Sequence, residues 1–440
     1  MLKIIKRIVG CIIVIGAIII INQVLIYILV DDAENEVRYA MHELYQQEDI
    51  DTLVLGSSHV FCGYDPRILD EVWGENTYLA ATPVQKIDGS YYLLKEVIKK
   101  NDLKTVYIDA FYRHYRDIPK EREDFQMEYI YCVTDYMENN WNRFEFLVKA
   151  TGYERYVDSF LIPSRYGNYL LDLKRFERVI KSKRNDAYVN YDMPESLKNT
   201  FYKGAMFNVG QSGNPNMVGK LEEYEISAIK EDVLSEYSLE CLDKIVELCK
   251  EEGIRLVLVT TPFTDLFLKS IGNYDVFYNY MRTYAKQNEI EFYDFNLCKT
   301  EVLDFQREDF TDTHHLSGVG NEKYSRVFAE VMSDYSQEER EALFYDSVEE
   351  KMNVLPEQIF GITVEKSSNG GEYYINTVAN YEIDVEYRIS IIDDEGNESE
   401  VIQEFDENDV LYIKQSGMKY KITSRDTETK EVYEEVLVSL

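Results

Sequence analysis

The spacing of hydrophobic positions changes character along this chain, and each change marks a boundary. Residues 8–30 are almost unbroken apolar, with Lys3, Lys6 and Arg7 before them and Asp31, Asp32, Glu34 and Glu36 after. As a helix at about 1.5 Å per residue the run reaches roughly 34 Å, enough to cross a bilayer core. The basic flank predicts a cytoplasmic N-terminus with everything after position 31 outside. A cleaved signal peptide is the other reading, but the run is longer than a signal's apolar region and no small-x-small site follows it. Asn22 and Gln23 within the run suit either contact with another membrane helix or simple tolerance of two polar residues.

Residues 31–50 read as a polar, partly helical stalk. A short apolar run, 52–55, then predicts a buried strand that stops in Gly56-Ser57-Ser58-His59. A helical piece follows Asp65-Pro66, then a strand over 77–81, a helix over 88–100 with Tyr92, Leu93 and Val97 at helical spacing, and a strand over 105–111. Strand and helix alternating at this interval is the pattern of a parallel sheet wrapped on both faces. The pattern is lost over 112–235, a tyrosine-rich, charged stretch that reads as a mostly helical insertion over the sheet. Within it, residues 207–216 form a loop by composition, without the lysine and strand-to-helix setting of a phosphate loop. It returns as a helix over 238–252 with Leu242, Ile245, Val246 and Cys249 on one stripe, a strand over 254–261, a helix over 274–288, a strand over 290–295 and a helix over 320–334. The α/β region therefore spans 51–335. After 335–356 the period becomes two: Val385, Tyr387, Ile389 and Ile391 alternate with Glu386 and Arg388, so 356–440 predicts a small antiparallel β domain, sandwich-like.

Composition narrows the functional classes. The chain has 440 residues with 81 acidic and 47 basic side chains, a net charge of −34. That balance argues against broad binding to nucleic acid or anionic lipid. The 37 tyrosines and 20 phenylalanines suit core and interface packing first, and sugar contacts second. Six cysteines at 11, 62, 132, 241, 249 and 298 contain no Cys-x-x-Cys pair, so neither a zinc cluster nor a disulfide scaffold is implied; they read as mostly buried thiols.

The candidate chemistry lies in two distant stretches. A serine hydroxyl becomes a nucleophile when a base takes its proton and a third group orients that base. Ser58 follows the first strand, while Asp312-Thr-His314-His315-Leu-Ser-x-x-Gly follows the last, and both belong at strand carboxyl ends, where open α/β sheets gather their sites. Aspartate three positions before histidine lets one turn orient both. The other readings are a small residue in a tight turn for Ser58, a structural hydrogen bond for His59, and a metal site from Asp309, Asp312, His314 and His315, which a single short loop supports poorly. No metal or cofactor is expected. Arg113, His114 and Arg116 suit an anionic substrate group or a solvated loop.

Together these two blocks resemble the SGNH (GDSL-like) hydrolase superfamily over roughly residues 50–335. The resemblance implies a three-layer, flavodoxin-like parallel sheet with Ser58 as nucleophile, His315 as base and Asp312 as its partner. The Ser-Ser form and the anchor resemble the branch that acylates teichoic acid or cell-surface polysaccharide beside membrane-bound O-acyltransferases. By that resemblance the protein is a membrane-anchored esterase or O-acyltransferase, O-acetyl chemistry foremost, acting on a cell-surface glycan; the alternative is a non-catalytic assembly or binding protein of such a complex. Oxyanion candidates are the backbone N–H groups of Ser58, Ala80 and Ala81. Asp109 stands where the family places an asparagine, and it donates a hydrogen bond only when protonated.

Overall fold

The computed structural model describes residues 2–116, 118–122, 124–207, 233–366, 371–393, 395–413 and 417–440. The expected loop at 207–216 therefore falls, beyond Phe207, outside the described residues. Helix α1 (Leu2–Leu29) carries a stretch, Lys3–Leu29, that is long and apolar enough to cross a membrane, and little of it is covered by the rest of the chain.

Five parallel strands make the central sheet: β1 (Thr52–Gly56), β2 (Thr77–Ala81), β3 (Thr105–Asp109), β4 (Arg255–Thr260) and β5 (Glu291–Asp294). Their order is β2-β1-β3-β4-β5, so the chain runs outward from β1 to β2 and then crosses back to β3. Every residue of β1 and β2 is buried, which is why these strands read as continuous apolar runs. One face is covered by a cluster that includes Leu93, Leu242, Ile245 and Phe277, the other by one that includes Val60, Leu69, Tyr324 and Phe328. The helices behind these residues are α3 (Ser58–Gly63), α4 (Pro66–Trp73), α5 (Ile87–Val97) and, after the insertion, α10 (Glu236–Glu252), α11 (Asp265–Ser270), α12 (Tyr274–Asn288) and α13 (Gly318–Asp334). The order reverses between β1 and β3, and a crevice at the carboxyl ends follows from that reversal.

The stalk expectation is corrected. Residues 36–46 form α2 (Glu36–Gln46), with Asn35 capping it through a bond to the Arg38 N–H. Val37, Met41 and Leu44 recur at helical spacing and are buried in the sheet's core cluster, and the Tyr78 hydroxyl donates to the Ala40 carbonyl at 2.7 Å. An apolar stripe on a segment that is polar on average is enough to dock it. The globular body consequently begins at the end of α1.

The described part of the insertion is largely helical: α6 (Asp124–Thr134), α7 (Trp141–Ala150), α8 (Tyr156–Phe160), a 3₁₀ segment Ile162–Tyr169 and α9 (Leu173–Lys183). It sits beside the sheet, and part of it packs on α1. Asn22 donates to the Phe160 carbonyl at 3.4 Å, so one partner of this membrane-helix residue lies in the insertion. A small hairpin, Phe201–Tyr202 with Ala205–Met206, extends the edge at β2 through the Leu79 N–H to Lys203 carbonyl bond.

Residues 359–439 form two antiparallel sheets. One has β6 (Ile359–Lys366), β7 (Glu372–Ala379) and β10 (Val410–Tyr412); the other has β8 (Val385–Ile392), β9 (Glu398–Asp406), β11 (Lys419–Asp426) and β12 (Val432–Ser439). Tyr387, Ile389 and Ile391 point into the core between them. A cavity of about 810 Å³ lies where this unit meets the α/β body; among the described residues neither Ser58, Asp312 nor His315 lines it.

Candidate functional site

Buried β1 delivers the chain into a turn that only glycine fits. A Cβ on Gly56 would stand 2.5 Å from Val60 Cγ2 and 2.7 Å from Asp109 Cβ. Ser57 caps the short helix α3, its carbonyl taking the amides of Val60 and Phe61. Ser58 is the first residue of that helix and is half-buried. Helix α13 clamps the far end of α3: Asn321 donates to the Cys62 carbonyl at 2.6 Å, and Ser325 accepts from the Asp65 amide at 2.8 Å.

The loop after β5 is pinned on several sides. The Thr311 amide bonds the His315 carbonyl, the Ser317 amide bonds the Asp309 carbonyl, and Thr264 donates through both amide and hydroxyl to the Thr313 carbonyl. Ser317 caps α13, while Gly320 lies so close to the Asp309 carbonyl that a Cβ there would be 1.9 Å from its oxygen. These contacts hold His315 at a fixed position above α3. Its Nε2 lies 2.7 Å from Ser58 Oγ, and its Nδ1 lies 2.7 Å from Asp312 Oδ2. Asp312 Oδ1 in turn accepts from the amides of His314 and His315 at 3.0 and 2.8 Å.

The electrostatics agree with that relay. Burial pushes the Asp312 carboxyl up, but the hydrogen bond from His315 and the charges of both histidines outweigh it and bring it down to about 2. Asp312 is therefore a carboxylate at neutral pH. It fixes the proton of His315 on Nδ1, leaving the Nε2 lone pair to accept from the Ser58 hydroxyl.

Beneath His315 lies a layer of imidazoles that sequence reasoning missed. His59, His114 and His314 are buried, and the His59 ring centroid is 5.3 Å from that of His315 and 5.4 Å from that of His314. Burial holds His59 and His114 well below the ordinary histidine range, and burial with the charge of His315 lowers His314 to about 3. These rings are neutral at physiological pH. Among the described residues His59 Nδ1 has no hydrogen-bond partner, and the Asp109 carboxyl is 3.8 Å away, so the structural hydrogen bond expected for this residue is not seen at Nδ1. Nor is Arg113-His114 a solvated loop, since Tyr112, His114 and Tyr115 are buried in a 3₁₀ turn. The signal for this layer was weak, because single histidines at 59, 114 and 314 share no spacing.

Asp109 ends β3 next to Gly56. Burial drives its carboxyl up to about 7 against the pull of the Thr261 amide and hydroxyl, which both reach Oδ1 at 3.2 Å. Among the described residues its Oδ2 has no hydrogen-bond partner. The 3.8 Å approach to His59 is accordingly a contact between groups held toward their neutral forms and not an ion pair. Ala80 and Ala81 are buried within β2, paired with Leu55 and Gly56, and the Ala80 carbonyl accepts from Gln85. Ser58 has its N–H in the first turn of α3, where helix geometry supplies no partner.

The alternative metal set of Asp309, Asp312, His314 and His315 does not assemble: Asp309 is buried and bonded by Lys323 and the Gln306 amide. One nitrogen each from His59, His314 and His315 lie within 4.8 Å of one another. In the arrangement present, however, both His315 nitrogens are engaged by Ser58 and Asp312.

Among known proteins, the model of an uncharacterised family matches residues 174–337, a span that includes Asp312 and His315 but not Ser58. No curated protein matches the sequence.

Proposed function

We propose that this protein is a membrane-anchored serine esterase or O-acyltransferase of the SGNH-like type, acting on an acylated cell-surface glycan. The observation that carries the reading is the line Ser58 Oγ, His315 Nε2, His315 Nδ1, Asp312 Oδ2, with 2.7 Å at each hydrogen bond. Its place at the carboxyl ends of the strands beside the sheet's reversal supports it further.

In this reading Ser58 Oγ attacks the ester carbonyl as its proton passes to His315 Nε2. The tetrahedral intermediate collapses when His315 returns that proton to the departing alcohol, leaving an acyl-Ser58. Water or a sugar hydroxyl then attacks, again giving its proton to His315, and Ser58 is released. Asp312 holds the ring and stabilises its positive charge throughout. For the developing oxyanion, the Ser58 N–H is one donor, and Asp109, in the protonated form it holds below neutral pH, is the second. Ala80 and Ala81 lie within β2 and are the weaker candidates. The basic N-terminal flank supports an extracytoplasmic body in this reading, on the side where glycans and a membrane-bound acyl donor are met.

A second reading, a non-catalytic assembly protein, draws on Asp109, whose carboxylate form donates nothing to an oxyanion. Fluorophosphonate labelling of the full-length protein, read by intact mass, separates the two. An adduct that disappears in Ser58→Ala and in His315→Ala supports the enzyme; absence of any adduct on folded protein leaves the assembly role.

A further inference from the structure

The insertion leaves large apolar side chains in the open. Trp141 is 71% exposed and Leu171 93%, and Tyr153, Val157 and Leu173 are similarly bare. A face of this kind on a body that is otherwise strongly acidic calls for a covering partner.

Its position identifies the partner. The Phe160 carbonyl accepts from Asn22, seven residues before the end of α1, which is about 10 Å down the helix axis. From Phe160 the aromatic contacts continue outward, to Phe144 at 5.5 Å and from there to Trp141 at 5.1 Å. On the other side, Arg175 donates to the Leu29 carbonyl at 3.1 Å, so α9 is fastened to the last turn of α1; Leu170 and Leu171 lie between it and the 3₁₀ segment that also packs on α1, and Leu173 is its first residue. Segments that reach such a depth along a bilayer-spanning helix lie at the boundary of headgroups and acyl chains.

Charge points the same way. In a chain of net charge −34, α9 reads Leu-Lys-Arg-Phe-Glu-Arg-Val-Ile-Lys-Ser-Lys. Asp31 and Asp32, at the exit of α1, meet Arg178 at 3.2 Å and Lys183 at 2.8 Å, while Lys174, Lys181 and Arg184 remain exposed. Exposed basic groups beside exposed leucines suit the phosphates and acyl chains of lipid.

We infer that residues 141–184 form a shelf seated in the bilayer interface on the side of the globular body, with Trp141, Leu171 and Leu173 among the acyl chains and the basic face of α9 at the phosphates. The inference rests on the membrane-spanning reading of α1. The body is then held at two places, and Ser58 keeps a set height above the lipid. Net charge alone argued against anionic lipid; the local surface reverses that for this one helix.

The sequence has two tryptophans, so Trp73→Phe makes Trp141 the sole reporter. The full-length variant is reconstituted into phosphatidylcholine vesicles whose acyl chains carry bromine at shallow or deep positions. The expected result is a blue-shifted Trp141 emission that shallow bromines quench and deep ones quench less. Unquenched emission, in protein that stays with the vesicles through an alkaline carbonate wash, overturns the shelf and leaves the anchor standing, with solvent or a protein partner on that face. Protein stripped by the wash overturns both. If Trp73→Phe does not fold, the difference between wild type and Trp141→Phe gives the same readout. Neither result depends on the chemistry of Ser58.

Discussion

His315 Nε2 stands 2.7 Å from Ser58 Oγ although 257 positions separate the two residues. Everything between them in the chain serves, among other things, to bring β1 and the loop after β5 to one end of the sheet. The relationship makes direct demands on substitution. Ser58→Ala is expected to abolish the fluorophosphonate adduct and to lower ester hydrolysis by roughly 10⁴-fold or more. The thermal midpoint should stay within a few degrees of wild type, because a half-exposed hydroxyl is all that is lost. An unchanged hydrolysis rate would remove Ser58 from the mechanism.

Asp312→Asn keeps the size of the side chain but removes the charge that holds the proton on His315 Nδ1. A loss of about 10⁴ in kcat is expected, as for a wrong tautomer. Because the Asp312 pKa is lowered to about 2, wild type keeps its carboxylate, and the stability that comes with it, above the ordinary carboxylate range. That contribution is lost as pH falls through about 2. A urea-midpoint series between pH 2 and 5 on both proteins should show wild type converging on the variant at the acid end.

Asp109 behaves in the opposite sense. Its folded pKa is raised to about 7 from 3.8, so between those values the folded protein binds the extra proton and stability falls as pH rises. Asp109→Asn should therefore gain stability relative to wild type across that window. It should also hold its labelling rate at pH 8, where wild-type Asp109 ionises and loses its donor. A wild-type rate that is flat from pH 6 to 8, with no difference from the variant, would take Asp109 out of the oxyanion site.

Gly56→Ala places a methyl 2.7 Å from Asp109 Cβ and 2.5 Å from Val60 Cγ2. Overpacking of this kind costs about 1–3 kcal/mol and shifts α3, so a lower thermal midpoint and slower labelling are expected together. A variant of unchanged stability and rate would show that the turn has room to relax.

Leu44→Ala tests whether α2 belongs to the body. Leu44 is 3% exposed, and truncation is expected to cost about 2–5 kcal/mol. A solvated stalk would tolerate the change with no loss, which denaturant unfolding of the full-length protein would reveal.

Local pattern was sufficient wherever one element could be recognised by its own period. The run at 52–55 and the stripe Leu242, Ile245, Val246 and Cys249 became β1 and α10, and the alternation from Val385 to Ile391 became β8, because burial on one or both faces is written in neighbouring residues. The pair Asp312 and His315 was legible for the same reason, since three positions on one loop suffice to orient it. The helix within 31–50 is legible, but its docking is not, because Val37, Met41 and Leu44 are outweighed on average by charge.

What the chain alone determined, then, is the apolar leader, the alternation of strand and helix, the β-rich end, and two short blocks with the residue types that serine chemistry needs. Tertiary structure decided the rest. Whether Ser58 meets His315, how burial raises Asp109 and keeps His59, His114 and His314 neutral, and how the insertion lies against α1 depend on desolvation and on contacts between segments far apart in sequence. Those are properties of a folded environment, because the cost of burying a charge or exposing a leucine is set by the surroundings and not by sequence neighbours.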